Sequence, residues 1–216
     1  MRTRDRLALA RYTLKIDIVE VALRLVGRHV RRDTAQAAAG SPSVIVDLLT
    51  GVGAVLPFYA RRFPGSRIIA VDLDPRLLAL VKRRVDEATG SSLKTLVADA
   101  RDLPLAASFA DLVNISFGLH ELKKMDRSLV LGEACRVLKP GGQLIVADYR
   151  AVRGILRGLA ARLYFAFFEP RWVHELFGGG LERQVADAGF DVEKVREDLP
   201  MTQLIVATND VIFGAL

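Results

Sequence analysis

The segment VDLLTGVGAV, Val46 to Val55, sets Asp47 at the end of an apolar run and follows it with Gly51 and Gly53. A carboxylate accepts hydrogen bonds or attracts a cation. Glycines in a strand-to-helix loop let backbone N–H groups approach a ligand, because no Cβ stands in the way. Two more acids sit in equivalent places, Asp72 closing RIIAVD and Asp99 closing KTLVAD. Asp72 follows Gly51 by 21 residues, the interval at which an acid takes the hydroxyls of a ribose. A dinucleotide fits less well: the third glycine of that fingerprint is replaced by Leu56, and an acid ahead of the glycines sits poorly beside a pyrophosphate. A nucleoside joined to an amino acid, whose ammonium would suit Asp47, fits better. Farther on, SFGLHEL carries His120 and Glu121, both able to take a proton.

The elements around these residues explain their placement. SVIVD reads as a buried strand, residues 54–62 as a helix, RIIAVD as a second strand, and Asp74-Pro75 as a helix opening that runs on to Gly90, with Leu77, Leu78, Val81 and Val85 inward. KTLVAD, DLVNI and QLIVAD follow as strands, with a helix over about 126–138 and a KPGG turn before the last. Five strands separated by helices predict parallel pairing in a doubly wound α/β sheet with helices on both faces. Ligands of such sheets sit beyond the carboxyl ends of the strands, where Asp47, Asp72 and Asp99 lie. Downstream, helices are expected over about 152–168 and 180–188, then two final strands, FDVEKVRE and MTQLIVAT.

At 216 residues, with 51% hydrophobic and 26% charged, the chain suits one soluble globular domain, 1–216. A helical lead is expected over 1–40 and a further helical segment over 150–177. Charges interrupt every apolar run before the ~18 to 20 residues a bilayer needs, so no transmembrane segment and no targeting signal are expected. The single Cys135 and the lack of metal-ligand spacing point to a reducing cytoplasm and no metal. The net charge of +6 resides wholly in residues 1–32, with nine Lys or Arg against three acids. There Leu14, Ile18, Val21, Ala22 and Leu25 recur at helical spacing, with Arg24, Arg28 and Arg31 on other faces. This is read as a solvated helix face, with an anionic membrane or nucleic-acid contact as the alternative.

Together these motifs resemble the class I S-adenosylmethionine-dependent methyltransferases, in particular the small-molecule branch of ubiquinone and menaquinone biosynthesis. VDLLTGVG is similar to their first motif and AVDLDPRLL to their acidic second-strand motif. VADARDLPLAASFADLV resembles their adenine-side region, and RVLKPGGQLIVAD their fifth-strand motif. The resemblance implies a Rossmann-like, mostly parallel seven-stranded sheet with an antiparallel terminal strand. It implies S-adenosyl-L-methionine as donor, with S-adenosyl-L-homocysteine as product. Asp47, Leu49, Gly51 and Gly53 would surround the methionyl part, Asp72 and Leu73 the ribose side, and Asp99 and Ala100 the adenine. Asn114 and SFGLHEL would approach the sulfonium and acceptor. Leu49 departs from the family pattern by standing where a first glycine is common, and a branched side chain there would crowd the methionyl group.

The reaction is an in-line displacement that needs alignment more than covalent chemistry. His120 and Glu121 are the candidate bases for an acceptor that must lose a proton. NISF lacks the proline of nucleobase amino-methyltransferases, while the helical segment 150–177, which the resemblance implies is an acceptor-side cover, carries Tyr164, Phe165, Phe167, Phe168 and Trp172, which suit a hydrophobic or planar small-molecule acceptor. Competing readings are an RNA or protein methyltransferase that uses the basic lead, a non-catalytic donor-binding or scaffold protein motivated by Leu49, and a nicotinamide oxidoreductase. His29, His174 and Cys135 are read as structural.

Overall fold

The computed structural model describes residues 29–85, 92–150, 171–196 and 201–210. A helix over 29–37 (α1) precedes β1 (Val44–Leu48), α2 (Leu56–Arg62), β2 (Arg67–Asp72), α3 (Pro75–Arg84), β3 (Ser92–Val97) and β4 (Ala110–Ser116). After a 3-10 turn at Leu119–Glu121 come α4 (Lys124–Val137), β5 (Leu138–Tyr149), a 3-10 turn at Arg171–Leu176, α5 (Gly180–Asp187), β6 (Asp191–Arg196) and β7 (Thr202–Thr208). The strands form one seven-stranded sheet in the order β3-β2-β1-β4-β5-β7-β6. The first five run parallel, and β7 lies antiparallel to both β5 and β6. This is the Rossmann-like arrangement the motifs implied.

Strand alternation sends side chains to two separate cores. Ile45, Ile68, Ala70, Leu112 and Ile145 pack with Val30 and Ala35 of α1, Leu56 and Tyr59 of α2, and Leu78 and Val81 of α3. Val46, Leu48, Ile69, Val113 and Val146 pack on the other face with Val130, Leu131 and Ala134 of α4 and Leu181 and Val185 of α5. Burial on both faces is why the central strands read as apolar runs rather than as an alternation.

Boundaries shifted where burial or backbone geometry overrode pattern. α2 starts at Leu56 rather than residue 54, because the loop before it holds its glycines in left-handed conformations and Pro57 then sits in the first turn. α3 opens as expected, Asp74 Oδ1 accepting the Arg76 N–H at 2.8 Å. It ends at Arg84, since Val85 turns extended and buries with Leu78 and Val81. KPGG is taken into the start of β5, with Gly141 at φ 72° and a register shift against β4 between Ala110 and Leu112. The basic helix of the lead up to residue 28, the helix expected over 152–168 and its aromatic residues Tyr164 to Phe168 lie outside the described residues. Among the described residues no helix is long and apolar enough to cross a membrane.

Candidate active site

β1 sits at the point where the sheet changes direction, with β2 on one side and β4 on the other. A loop leaving the carboxyl end of such a strand has nothing above it in the sheet, so a crevice opens there. The loop 49–55 is stitched across the gap. Thr50 N donates to Val71 O at 3.0 Å, its Oγ1 accepts from Val71 N at 3.0 Å, and the same hydroxyl donates to Asp47 O at 2.7 Å. Gly51 and Gly53 hold φ values of 55° and 66°. Their surroundings differ. A Cβ on Gly53 would lie 2.9 Å from the Val81 methyls, so that glycine lets the loop close onto α3, whereas a Cβ on Gly51 would meet nothing within 4 Å. Gly51 is thus bare backbone facing open space, and Gly53 is a packing glycine.

Leu49 occupies the left-handed region at φ 53°, a conformation that disfavours a branched residue. Its accommodation comes from the far side of the cavity, where a Cβ on Gly118 would lie 2.5 Å from the Leu49 Cβ. The leucine therefore fills the space that the missing side chain of residue 118 leaves.

Asp72 is half-buried at the end of β2. Its Oδ2 accepts the Gly51 N–H at 2.7 Å and its Oδ1 the Asp74 N–H at 2.9 Å. A carboxylate has about four lone-pair positions, so each oxygen retains capacity for a hydroxyl donor. Beside it Leu73 is 61% exposed, an apolar ledge on the same rim. Asp99 is engaged differently. Arg101 binds both of its oxygens, also reaching Asp126 at 2.8 Å, and these bonds hold the Asp99 carboxyl below its usual range. Ala100 is buried in the core.

Asp47 is 1% exposed, yet it lines the floor of the cavity. Asn114 Nδ2 donates to its Oδ1 at 2.5 Å and also contacts Ser116 Oγ at 3.1 Å, while Asn114 Oδ1 accepts the Tyr59 hydroxyl at 3.0 Å. Burial pushes the Asp47 carboxyl up to about 7, against the opposing hydrogen bonds from Asn114 and Thr50 and with a smaller contribution from Asp72. An arriving cation would restore its charge. Asn114 itself is fully buried and does not line the cavity. It stands two residues before the end of β4 and supports Asp47 from beneath.

The cavity has a volume of about 170 Å³ and is walled on one side by Asp47, Leu49, Gly51 and Val55, on the other by Phe117, His120, Glu121 and Tyr149, with Arg31 of α1 at its edge. Small-molecule sites usually span ~300 to 1,000 Å³, so this space has room for only one end of a ligand. His120 is 4% exposed, and its Nδ1 lies 2.8 Å from Oδ1 of Asp148, a fully buried carboxylate in β5. The His120 ring stacks obliquely on Tyr149, 4.6 Å between centroids. Glu121 Oε1 stands 3.9 Å from His120 Nε2 on a side chain that is 59% exposed.

Tyr149 and Arg31 line this cavity, and Asp148 stands behind His120, without a sequence-based assignment to the site. Asp148 had a visible signal, as it closes QLIVAD in the way Asp47, Asp72 and Asp99 close or nearly close their strands. The expected acceptor cover is described from residue 171 onward. Its 3-10 turn packs against the Leu119–Glu121 turn. Arg127 of α4, fully buried, ties it down through Glu175, while also donating to Gln184 Oε1 at 2.8 Å and Leu122 O at 2.6 Å. Trp172 in this turn keeps a buried Nε1 without a hydrogen-bond partner, and Lys123 Nζ lies 5.9 Å from the centre of its ring.

Residues 46–146 match the family model described as a methyltransferase domain. The chain is 36% identical to the demethylmenaquinone methyltransferase of Thermus thermophilus over 71% of this chain and 66% of that one. It is 33% identical to the ubiquinone/menaquinone biosynthesis C-methyltransferase of Syntrophotalea carbinolica over 73% of this chain and 64% of that one. It thus spans a little under two thirds of the length of these relatives. A solved S-adenosylmethionine-dependent methyltransferase from Methanosarcina mazei superimposes with a TM-score of 0.63 over 80% of this chain and 94% of that one, at 18% identity, which establishes likeness of fold.

Proposed function

We propose that this chain is a class I S-adenosylmethionine-dependent methyltransferase, as its match to a methyltransferase domain and its similarity to demethylmenaquinone methyltransferase support, and that it transfers a methyl group to a small, apolar, aromatic acceptor of the quinol type. The observation that carries this reading is the shared cavity: the glycine loop with Asp47 and the turn bearing His120 face each other across one space. A donor held by the first and an acceptor held by the second would meet there.

The residues present fit the donor. The open face of Gly51 admits a ligand against the backbone, Asp72 keeps acceptor capacity for ribose hydroxyls, and Leu73 offers a surface to a planar base. Asp47 suits the amino-acid ammonium, which would replace by charge pairing the solvation its burial removes. When bound, S-adenosylmethionine supplies a methyl carbon whose bond to sulfur breaks, with the electron pair passing to sulfur, as the acceptor's electron pair closes on that carbon. Phe117 and Tyr149 pack edge to face at 5.6 Å, and with Leu49 and Val55 they keep the meeting point apolar and exclude water. Alignment in such a space supplies several kcal/mol of barrier reduction.

The apolar cavity wall and the relationship to quinone-biosynthesis enzymes both favour a lipophilic ring acceptor over a nucleic acid or a protein. Calorimetry with S-adenosylhomocysteine, followed by methyl transfer from labelled S-adenosylmethionine to a demethylated naphthohydroquinone, tests the reading. Micromolar binding and labelled product are expected. A chain that binds neither donor nor product is a scaffold instead.

A further inference from the structure

We infer that Tyr59 is a positioning residue for binding of the methyl donor: its hydroxyl, buried beneath the glycine loop, orients the Asn114 amide, and the amide in turn holds the Asp47 carboxylate ready for the donor's ammonium. This rests on the methyl-transfer reading above and adds to it a residue of α2 that lies outside the cavity.

Strand parity brings the three side chains together. Asp47 and Asn114 are register partners in the parallel pair of β1 and β4. Each follows by two residues a member of the core that packs against α2, Ile45 and Leu112, and so shares its face of the sheet. Tyr59 stands one helical turn after Val55, which lines the cavity, so its ring points beneath the cavity floor. All three residues are buried. Tyr59 otherwise belongs to an apolar core, where a phenylalanine ring would fill the same space. Its hydroxyl is the part that packing does not account for.

The direction of each bond follows from its proton. Burial, with a smaller push from Asp47, holds the Tyr59 hydroxyl well above its ordinary range, so it keeps its proton and donates it. The acceptor is Asn114 Oδ1 at 3.0 Å. An asparagine whose carbonyl is fixed in this way turns its NH2 in the other direction, and Nδ2 reaches Asp47 Oδ1 at 2.5 Å. The reversed amide would leave the hydroxyl proton without an acceptor and set its own carbonyl against the Asp47 carboxylate. Ser116 Oγ lies 3.1 Å from Nδ2 and 3.2 Å from Oδ1, and as a hydroxyl it serves either orientation. Tyr59 is therefore the member that selects. With Oδ1 held, the carboxylate keeps one rotation, and its second oxygen is left to a cation entering the cavity that Asp47 lines. A carboxylate fixed before the ligand arrives spares the ordering cost of binding.

The test is calorimetry with two ligands, S-adenosylhomocysteine and its deaminated analogue, which lacks only the ammonium. The wild type should favour the first by about tenfold or more. Tyr59→Phe, its fold verified by near-ultraviolet dichroism, should weaken S-adenosylhomocysteine roughly three- to tenfold and leave the analogue within about twofold, because only the ammonium depends on Asp47. Asn114→Ala should show the same selectivity, and Tyr59→Phe should add nothing further in that background. A hydroxyl with a purely structural role would weaken both ligands equally or neither. Either result overturns the inference, as do additive losses in the double variant or a wild type indifferent to the amino group. If a variant fails to fold, proton spectra of the wild type decide. The Tyr59 hydroxyl proton should exchange slowly and shift when S-adenosylhomocysteine binds but not when the analogue does; an equal response to both, or no protected hydroxyl, overturns the inference. A wild type that binds neither ligand overturns the methyl-transfer reading itself, whereas normal binding with unselective losses overturns the role of Tyr59 alone.

Discussion

The Asp47 carboxyl gives the site a measurable pH dependence. Its folded-state pKa of about 7 lies roughly three units above its value of 3.8 in a solvated chain, and each unit corresponds to ~1.4 kcal/mol. The folded state therefore holds a proton that the unfolded chain has already released. The associated stabilisation is fully present below about pH 4, shrinks as pH rises, and is gone above about pH 7. At about pH 5 it amounts to roughly 2 to 3 kcal/mol, and at about pH 8 to almost nothing. Asp74, Asp99, Asp111 and Glu133 act in the opposite sense, since Arg or Lys partners hold their carboxyls low. The informative quantity is thus the difference between the wild type and Asp47→Asn, which keeps the shape and the contact with Asn114 but does not titrate. Urea unfolding across this range should show the wild type losing ~2 to 3 kcal/mol relative to the variant as pH rises. The donor should behave conversely. Its ammonium requires the ionised carboxylate, so its dissociation constant should fall up to about tenfold per pH unit below pH 7, with proton release visible in buffers of different ionisation enthalpy. A stability difference that stays flat from about pH 5 to 8 would show that Asp47 is ionised when buried, and the account of its role would fail.

Asp72→Ala should weaken donor binding at least tenfold by calorimetry and cost ~1 to 2 kcal/mol of stability, because the Gly51 and Asp74 N–H groups lose their acceptor. Gly118→Ala should destabilise by ~1 to 3 kcal/mol through its collision with Leu49. In a Leu49→Gly background most of that cost should vanish, a coupling that a double-mutant cycle reads directly. Leu49→Gly alone should change stability by only about 1 kcal/mol, relief of left-handed backbone offsetting lost packing, and should leave donor affinity equal or better. Arg127→Met should cost ~2 to 4 kcal/mol in urea unfolding, since Gln184 Oε1 and Leu122 O lose a buried donor, and should raise the acceptor KM by loosening the 171–176 turn.

Much of the molecule was legible in its residues. The order of strands and helices followed from apolar runs, Asp74-Pro75 and the glycines, and three acids at or beside strand ends located the rim along which a ligand would lie. These features are local: a strand end or a helix start is written within a few neighbouring residues, and period-two burial follows from the backbone alone. Spacing could not apportion the work among residues of the same type. Asp47, Asp72 and Asp99 look alike in sequence, yet one is buried and held by Asn114, one keeps lone pairs at the rim, and one is occupied by Arg101. Gly51 and Gly53 likewise share a loop and a backbone region, but only one faces open space. The tolerance of Leu49 depended on Gly118, 69 residues away. The partner of His120 was settled by the packing of the 119–121 turn against β5, 28 residues distant in sequence. Element order is set by short-range pattern. Charge state, exposure and pairing are set by which surfaces come together when the chain closes, and these decide what the acids and the histidine can do.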